Sequence, residues 1–280
     1  MNTTPVIIEE SFLKPMHRHF INLTCSISGG KTEAKNNGVP DFRIFSAFIV
    51  EIDSEWFAIT AGHIFNDLKE AKANGAIISD WHIDDSIVSN RHEPACPYSL
   101  DIGREVFSLY ENADVTGADY ACFKIYDLAR QAISTRGIQA IPSAVWSAND
   151  ISEYSIWLLI GTPSNGRDLK NKQVHQLYAT IGLEPVDGIP AGFKQKKYKR
   201  HYAKLVRSSI GGGNKEFDID GMSGGPIFGL KPSTQTSSNQ YEYRIIGIQS
   251  HATSTHIAFC AARPFIETIK DAWADWCVEE

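Results

Sequence analysis

The chain has 280 residues, 42% of them hydrophobic and 21% charged, which is enough apolar material for a packed core. Twenty-seven Lys and Arg against 33 Asp and Glu leave a formal net charge of -6, so the chain has no general attraction to phosphate backbones and a nucleic-acid partner is not expected. No window holds the ~18 consecutive apolar residues of a membrane helix. The start, MNTTPVIIEESFLKPMHRHF, lacks the basic-then-apolar pattern of a secretory signal, so the expectation is no membrane partner and a cytoplasmic location.

Residues 1–19 read as an N-terminal extension. Phe20–Ser28 is the first run rich in β-branched and aromatic residues. After a loop over Gly29–Val39 come Arg43–Ile52 and Glu55–Thr60, joined by the turn-forming pair Asp53-Ser54; so tight a connection predicts a hairpin. A short helix follows His63 toward Gly75. Ile77–Trp81 and Tyr120–Ile125 complete a first set of strands, residues 20–140. The insertion between them holds His82, His92 and Cys96 without zinc-ligand spacing. A second set, residues 141–262, contains Ile156–Ile160, Leu177–Leu183, Ala203–Arg207, Pro226–Gly229, Tyr243–Gln249 and Ile257–Ala261. Within it the insertion Gly188–Arg200 ends in the basic run KQKKYKR, which reads first as a solvated hairpin tip and second as a docking surface for an acidic partner. Lys231–Gln240 is a further loop. Residues 263–280 close the chain as a helix: Pro264 stands in its first turn, and Phe265, Ile266, Ile269, Trp273 and Trp276 recur at helical spacing. The five cysteines, Cys25, Cys96, Cys122, Cys260 and Cys277, are odd in number and form no CxxC pair, which predicts free thiols.

Three short segments carry chemistry. In Asp220–Pro226, DGMSGGP, a glycine stands two residues before Ser223 and two more follow it. Acyl transfer needs backbone N–H groups aimed at the oxygen that becomes negative, and Gly221 can adopt the backbone angles that turn its N–H inward. The amides of Gly221 and Ser223 are therefore the candidate oxyanion hole. The segment TAGH places His63 at the end of an apolar hairpin. A serine hydroxyl needs an adjacent base, and imidazole is the side chain best matched to neutral pH. Asp119 opens the apolar run DYACFKI, where a partly buried carboxylate could orient that imidazole; Asp101 and Asp114 are its rivals.

In these three segments, and in the chain order His, Asp, Ser, the sequence resembles the trypsin/chymotrypsin-like serine peptidases. TAGH is similar to that family's T-A-x-H, DYACFKI to its D-x-A-x-x-K-aliphatic strand, and DGMSGGP to its G-x-S-G-G-P. The resemblance implies an all-β fold, a double six-stranded β-barrel with a C-terminal α-helix. His63 and Asp119 would lie on the first barrel and Ser223 on the second. It also implies a serine endopeptidase that needs no metal or organic cofactor and acts on a protein or peptide substrate. Ile245–Ser250 resembles the family's substrate-pairing strand, which would place substrate beside Ser250, His251 and Ala252.

The sequence departs from the secreted members at definite points. Met222 stands where their activation aspartate would be, and Ile64 where a disulfide cysteine would follow the histidine. Both departures resemble intracellular, disulfide-free, bacterial-type members, with viral-type or periplasmic quality-control members as alternatives; the lack of a signal-like start and the enlarged loops lead to the expectation of a narrow, regulated protease with a regulatory protein partner. Six residues before Ser223, where trypsin-like pockets carry aspartate, stands Phe217, with Asp218 beside it. Phe217, Asp218 and His256 join Ser250, His251 and Ala252 as candidate substrate contacts. The alternative function is a catalytically silent peptide-binding module on the same fold.

Overall fold

The computed structural model describes residues 10–29, 41–89, 96–97, 108–111, 117–146, 150–164, 167–170, 173–176, 178–210, 219–233 and 241–279. Its strands are β1 (Phe20–Gly29), β2 (Asp41–Ile52), β3 (Glu55–Thr60), β4 (Ala76–Asp84), β5 (Cys96–Pro97), β6 (Ser108–Glu111), β7 (Tyr120–Ile125), β8 (Ile156–Gly161), β9 (Arg167–Lys170), β10 (Gln173–Gln176), β11 (Ala179–Val186), β12 (His201–Ile210), β13 (Pro226–Pro232), β14 (Tyr241–Ala252) and β15 (His256–Ala261). The second half forms a closed antiparallel barrel in the order β11-β12-β15-β14-β13-β8, with β9 and β10 as a separate hairpin. The first half is a seven-stranded sheet, β5-β4-β1-β2-β3-β7-β6. The fold is thus mostly β with a closing helix, as the resemblance implies. The first sheet departs from a six-stranded closed barrel: among the described residues it has seven strands and two free edges. One edge, β5, is two residues long and includes Pro97, which cannot donate to a ladder.

Long apolar runs become strands with both faces buried. Along β2, Ala47 and Ile49 join one cluster with Ile21, Trp56, Ala58 and Phe123 inside the first sheet. Phe48, Val50 and Ile52 point the other way into a central cluster. Phe57 and Ile59 of β3 repeat that alternation. The second barrel mirrors it: Trp157, Leu159, Ile227 and Ile246 fill its interior, while Leu158, Ile160, Phe228 and Ile245 enter the central cluster. The two sheets therefore meet through a shared apolar layer, each fully buried large side chain in it contributing about 1.5–3 kcal/mol.

Two helices seal that layer. Glu10–His17, in the segment expected to be an extension, buries Leu13 and Met16 there. The closing helix, Ala262–Glu279, contributes Phe265, Ile266 and Ile269. It leaves the second barrel and packs on the first: Phe265 stacks on Tyr120 at 5.1 Å, and Trp273 meets Phe57 edge-on at 5.5 Å. His19 also bridges the halves, its ring nitrogens 2.8 Å from the Gln139 carbonyl and 3.0 Å from the Tyr243 hydroxyl. Burial pushes its pKa down to about 4, so it is neutral at pH 7. The described cysteines Cys25, Cys122, Cys260 and Cys277 form no disulfide. Among the described residues no helix is long and apolar enough to cross a membrane.

Candidate active site

β3 ends at Thr60, and a helix begins at once at Gly62–Ala73, with Ala61 as an extended N-cap that offers no side-chain acceptor. The first N–H groups of a helix lack partners within it. Here one of them, the backbone N–H of His63, donates to Asp119 Oδ1 at 2.8 Å. The other carboxylate oxygen, Oδ2, lies 2.8 Å from His63 Nδ1. Strand pairing makes this meeting local: β7 follows Asp119 and pairs with β3 so that Ala121 stands opposite Thr60. Asp119 is fully buried, whereas the His63 side chain is 34% exposed, so one face of the imidazole is held and the other is open. The rivals Asp101 and Asp114 lie outside the described residues.

Burial alone would pull the His63 pKa down. The hydrogen bond that His63 donates to Asp119, then the charge of Asp119 and that of Asp67, outweigh burial, while the charge of Arg200 opposes them; the net shift is upward from 6.5. Protonated His63 is thus favoured in the folded chain. Its contribution to stability is fully present below pH 6.5, the unfolded value, and is lost as pH rises through the higher folded pKa. An NMR titration of the His63 ring is expected to show a midpoint above 6.5, falling in Asp119→Ala. A midpoint at or below 6.5 would contradict this account of the pair.

Ser223 stands in a tight turn pinned on every side. Met222 N–H donates to Ile219 O at 3.1 Å, Gly225 N–H to Met222 O at 2.9 Å, and Gly224 N–H to Gln249 O at 2.9 Å. Gly221 has φ +88 and Gly224 φ +86, backbone angles that suit glycine. The turn is pressed against the first sheet: a Cβ on Gly224 would collide with Thr60 Oγ1, 2.5 Å from Ser46 O and 2.8 Å from Ala61 N. The residue after Ser223 therefore touches the strand end that delivers His63. The Gly221 carbonyl accepts from Ser46 Oγ at 3.2 Å, which turns it into the body of the protein. Among the described residues the amides of Gly221 and Ser223 have no backbone acceptor, and no hydrogen bond joins Ser223 to His63. Long or unformed catalytic hydrogen bonds are common in the absence of substrate.

A polar seam escaped the sequence reading. Ser46 Oγ also accepts from Thr162 N–H at 2.9 Å; Thr60 Oγ1 donates to Ser46 O at 2.8 Å, and Thr162 Oγ1 to Asn22 Oδ1 at 2.8 Å. All four side chains are buried. They stitch β1, β2 and β3 to the segment after β8, directly beneath the serine turn. Their signal in the sequence is single polar residues inside apolar runs, Asn22 in FINLT and Ser46 in RIFSAF.

Of the candidate substrate contacts, Ser250 is buried, its Oγ donating to Ala258 O at 3.1 Å. His251 is exposed, with its ring edge-on to Phe193 at 5.5 Å. Ala252 pairs with Ile257 across β14 and β15. His256 is engaged locally, 2.8 Å from Thr255 Oγ1. Phe217 and Asp218 lie outside the described residues. The Gly188–Arg200 insertion is not a free tip. The Lys196 side chain lies against Gly117, and Arg200 Nε donates to the Gly117 carbonyl at 2.7 Å, two residues from Asp119.

No family model matches the sequence, and no curated protein matches it. Among solved structures, the fold resembles that of serine proteases. A thermostable serine protease, AL20, from an extremophilic microorganism aligns over 92% of this chain and 97% of its own at 15% identity, TM-score 0.44. The protease Anisep from Arthrobacter nicotinovorans aligns over 92% and 96% at 13% identity, TM-score 0.45. The scabies mite inactivated protease paralogue S-I1 aligns over 94% and 98% at 13% identity, TM-score 0.46. These are likenesses of backbone course alone.

Proposed function

We propose that the chain is a trypsin-like serine endopeptidase. One observation carries the reading: the buried Asp119 carboxylate engages His63 through both oxygens, with the Ser223 turn pressed against the same strand end. With Nδ1–H held by Asp119, His63 Nε2 is the nitrogen left to accept a proton. It takes the Ser223 hydroxyl proton as Oγ attacks the scissile carbonyl, and the Gly221 and Ser223 amides receive the oxyanion. His63 passes the proton to the leaving amine; water, deprotonated by His63, then hydrolyses the acyl-enzyme. Peptide would lie along Ser250–Ala252 as an added strand.

A fluorophosphonate probe tests this directly. The chain is expected to be labelled at one site, with labelling lost in Ser223→Ala and reduced by about 10³-fold or more in His63→Ala. The second reading is a peptide-binding module on the same fold that does not catalyse. A folded chain that resists the probe at every pH would decide for it. A narrow substrate range is part of the proposal, and broad digestion of casein by the isolated protein would count against that part.

A further inference from the structure

Residues of the Gly188–Arg200 insertion line a cleft of ≈ 740 Å³ together with Asp150–Ser152, Tyr154 and Trp157. That volume falls in the range of small-ligand sites, roughly 300–1,000 Å³. The lining carries Lys196, Lys197, Lys199 and Arg200 against Asp150 and Asp187, a surplus of two positive charges in a chain whose net charge is -6. His201 adds none at neutral pH, because burial and then the charge of Lys199 lower its pKa. Cations gathered in this way repel one another unless an anion shares the site. A second observation concerns Arg200. Its Nε is satisfied by Gly117 O, but its Nη2 is buried with no acceptor among the described residues. An unpaired N–H on a charged, desolvated group is costly, and Arg200 lies on the cleft wall.

We propose that this cleft is an effector site for a small phosphate-bearing molecule, and that Arg200 relays its occupancy to the His63–Asp119 pair. A small molecule fits better than a peptide. Tyr202 in the cleft lining pairs with Val186 on one side and with Ala258 on the other, so its strand has no open edge there for an added peptide strand. Phosphate oxygens match the planar donor fork of arginine and the point charges of lysine. The relay is short. Arg200 holds the Gly117 carbonyl, Gly117 is at φ +91 with Lys196 packed on it, and Asp119 is two residues further on. The charge of Arg200 already lowers the His63 pKa, so drawing the guanidinium toward an anion alters both the position of Asp119 and the field at the imidazole. The relay rests on the proposed roles of His63 and Asp119; the binding site does not.

The test uses the full chain and sodium triphosphate as the probe. Calorimetry is expected to show one saturable site, weakened by added salt, with Kd raised about tenfold or more in Lys197→Ala/Lys199→Ala, which alters only exposed side chains. No saturable binding, or binding indifferent to that double substitution, overturns the site. Tighter binding of hexaglutamate than of triphosphate overturns the phosphate assignment in favour of an acidic segment. The His63 ring NMR signals are expected to move on triphosphate binding and to stop moving in Arg200→Ala. Triphosphate binding that leaves them still overturns the relay alone. Failure of probe labelling at Ser223, with these signals still responding, overturns the protease reading alone.

Discussion

Asp119→Asn is expected to slow fluorophosphonate labelling of Ser223 by about 10³–10⁴-fold while the chain stays folded, the order seen when the triad aspartate of a serine protease is replaced by asparagine. The geometry explains why so small a change should matter. Two donors face the two carboxylate oxygens: the His63 backbone N–H at Oδ1 and the His63 ring at Oδ2, both at 2.8 Å. An asparagine has one oxygen and one NH₂. The backbone N–H is fixed by the helix start and can only donate, so the oxygen stays with it and the NH₂ turns to Nδ1. Nδ1 must then accept, the ring proton moves to Nε2, and the nitrogen proposed to take the Ser223 proton can no longer do so. The backbone hydrogen bond survives, which is why the fold should too. The check is the labelling rate constant beside a thermal melt. Labelling within tenfold of the unsubstituted chain would remove Asp119 from the orienting role and return Asp101 and Asp114 to consideration.

That pair was legible in the sequence because its parts sit at strand ends. Apolar runs such as RIFSAFIVEI and EWFAIT announce strands by composition, and the turn Asp53-Ser54 announces their hairpin; both turn residues have positive φ, at 49° and 68°. His63 and Asp119 then follow from where those runs stop and start. Elements without such runs were not legible. The helix Asp127–Ser134 buries only Ala129 and Ile133, too few positions to show a period. Glu10–His17 includes Pro15, which argues against a helix locally, yet Leu13 and Met16 gain a place in the central layer that outweighs the propensity. The basic run Lys194–Arg200 misled for a related reason. Its charges predict solvation, and its lysines are largely exposed, but docking on Gly117 depends on the backbone shape of a partner more than 80 positions away, which no local pattern encodes.

Gly224→Ala is expected to lower stability by roughly 2–5 kcal/mol and to abolish labelling of Ser223. Two costs add there. At φ +86 any L side chain is strained, by about 1–2 kcal/mol. The new methyl would also meet Thr60 Oγ1, Ser46 O and Ala61 N, the last two being backbone atoms, of β2 and of the helix cap after β3, that cannot swing aside. Relief requires the serine turn to lift away from the first sheet, breaking the Gly224–Gln249 bond and loosening the contact of Ser46 with Gly221. Gly75→Ala separates the two costs, because Gly75 has nearly the same φ, +84, with nothing within 4 Å of where its Cβ would stand. It should lose only the backbone term and keep full labelling. If the two variants melt together and both still react with the probe, the serine turn is not clamped against the strand end of His63, and the contact on which the two-sheet active site depends is absent.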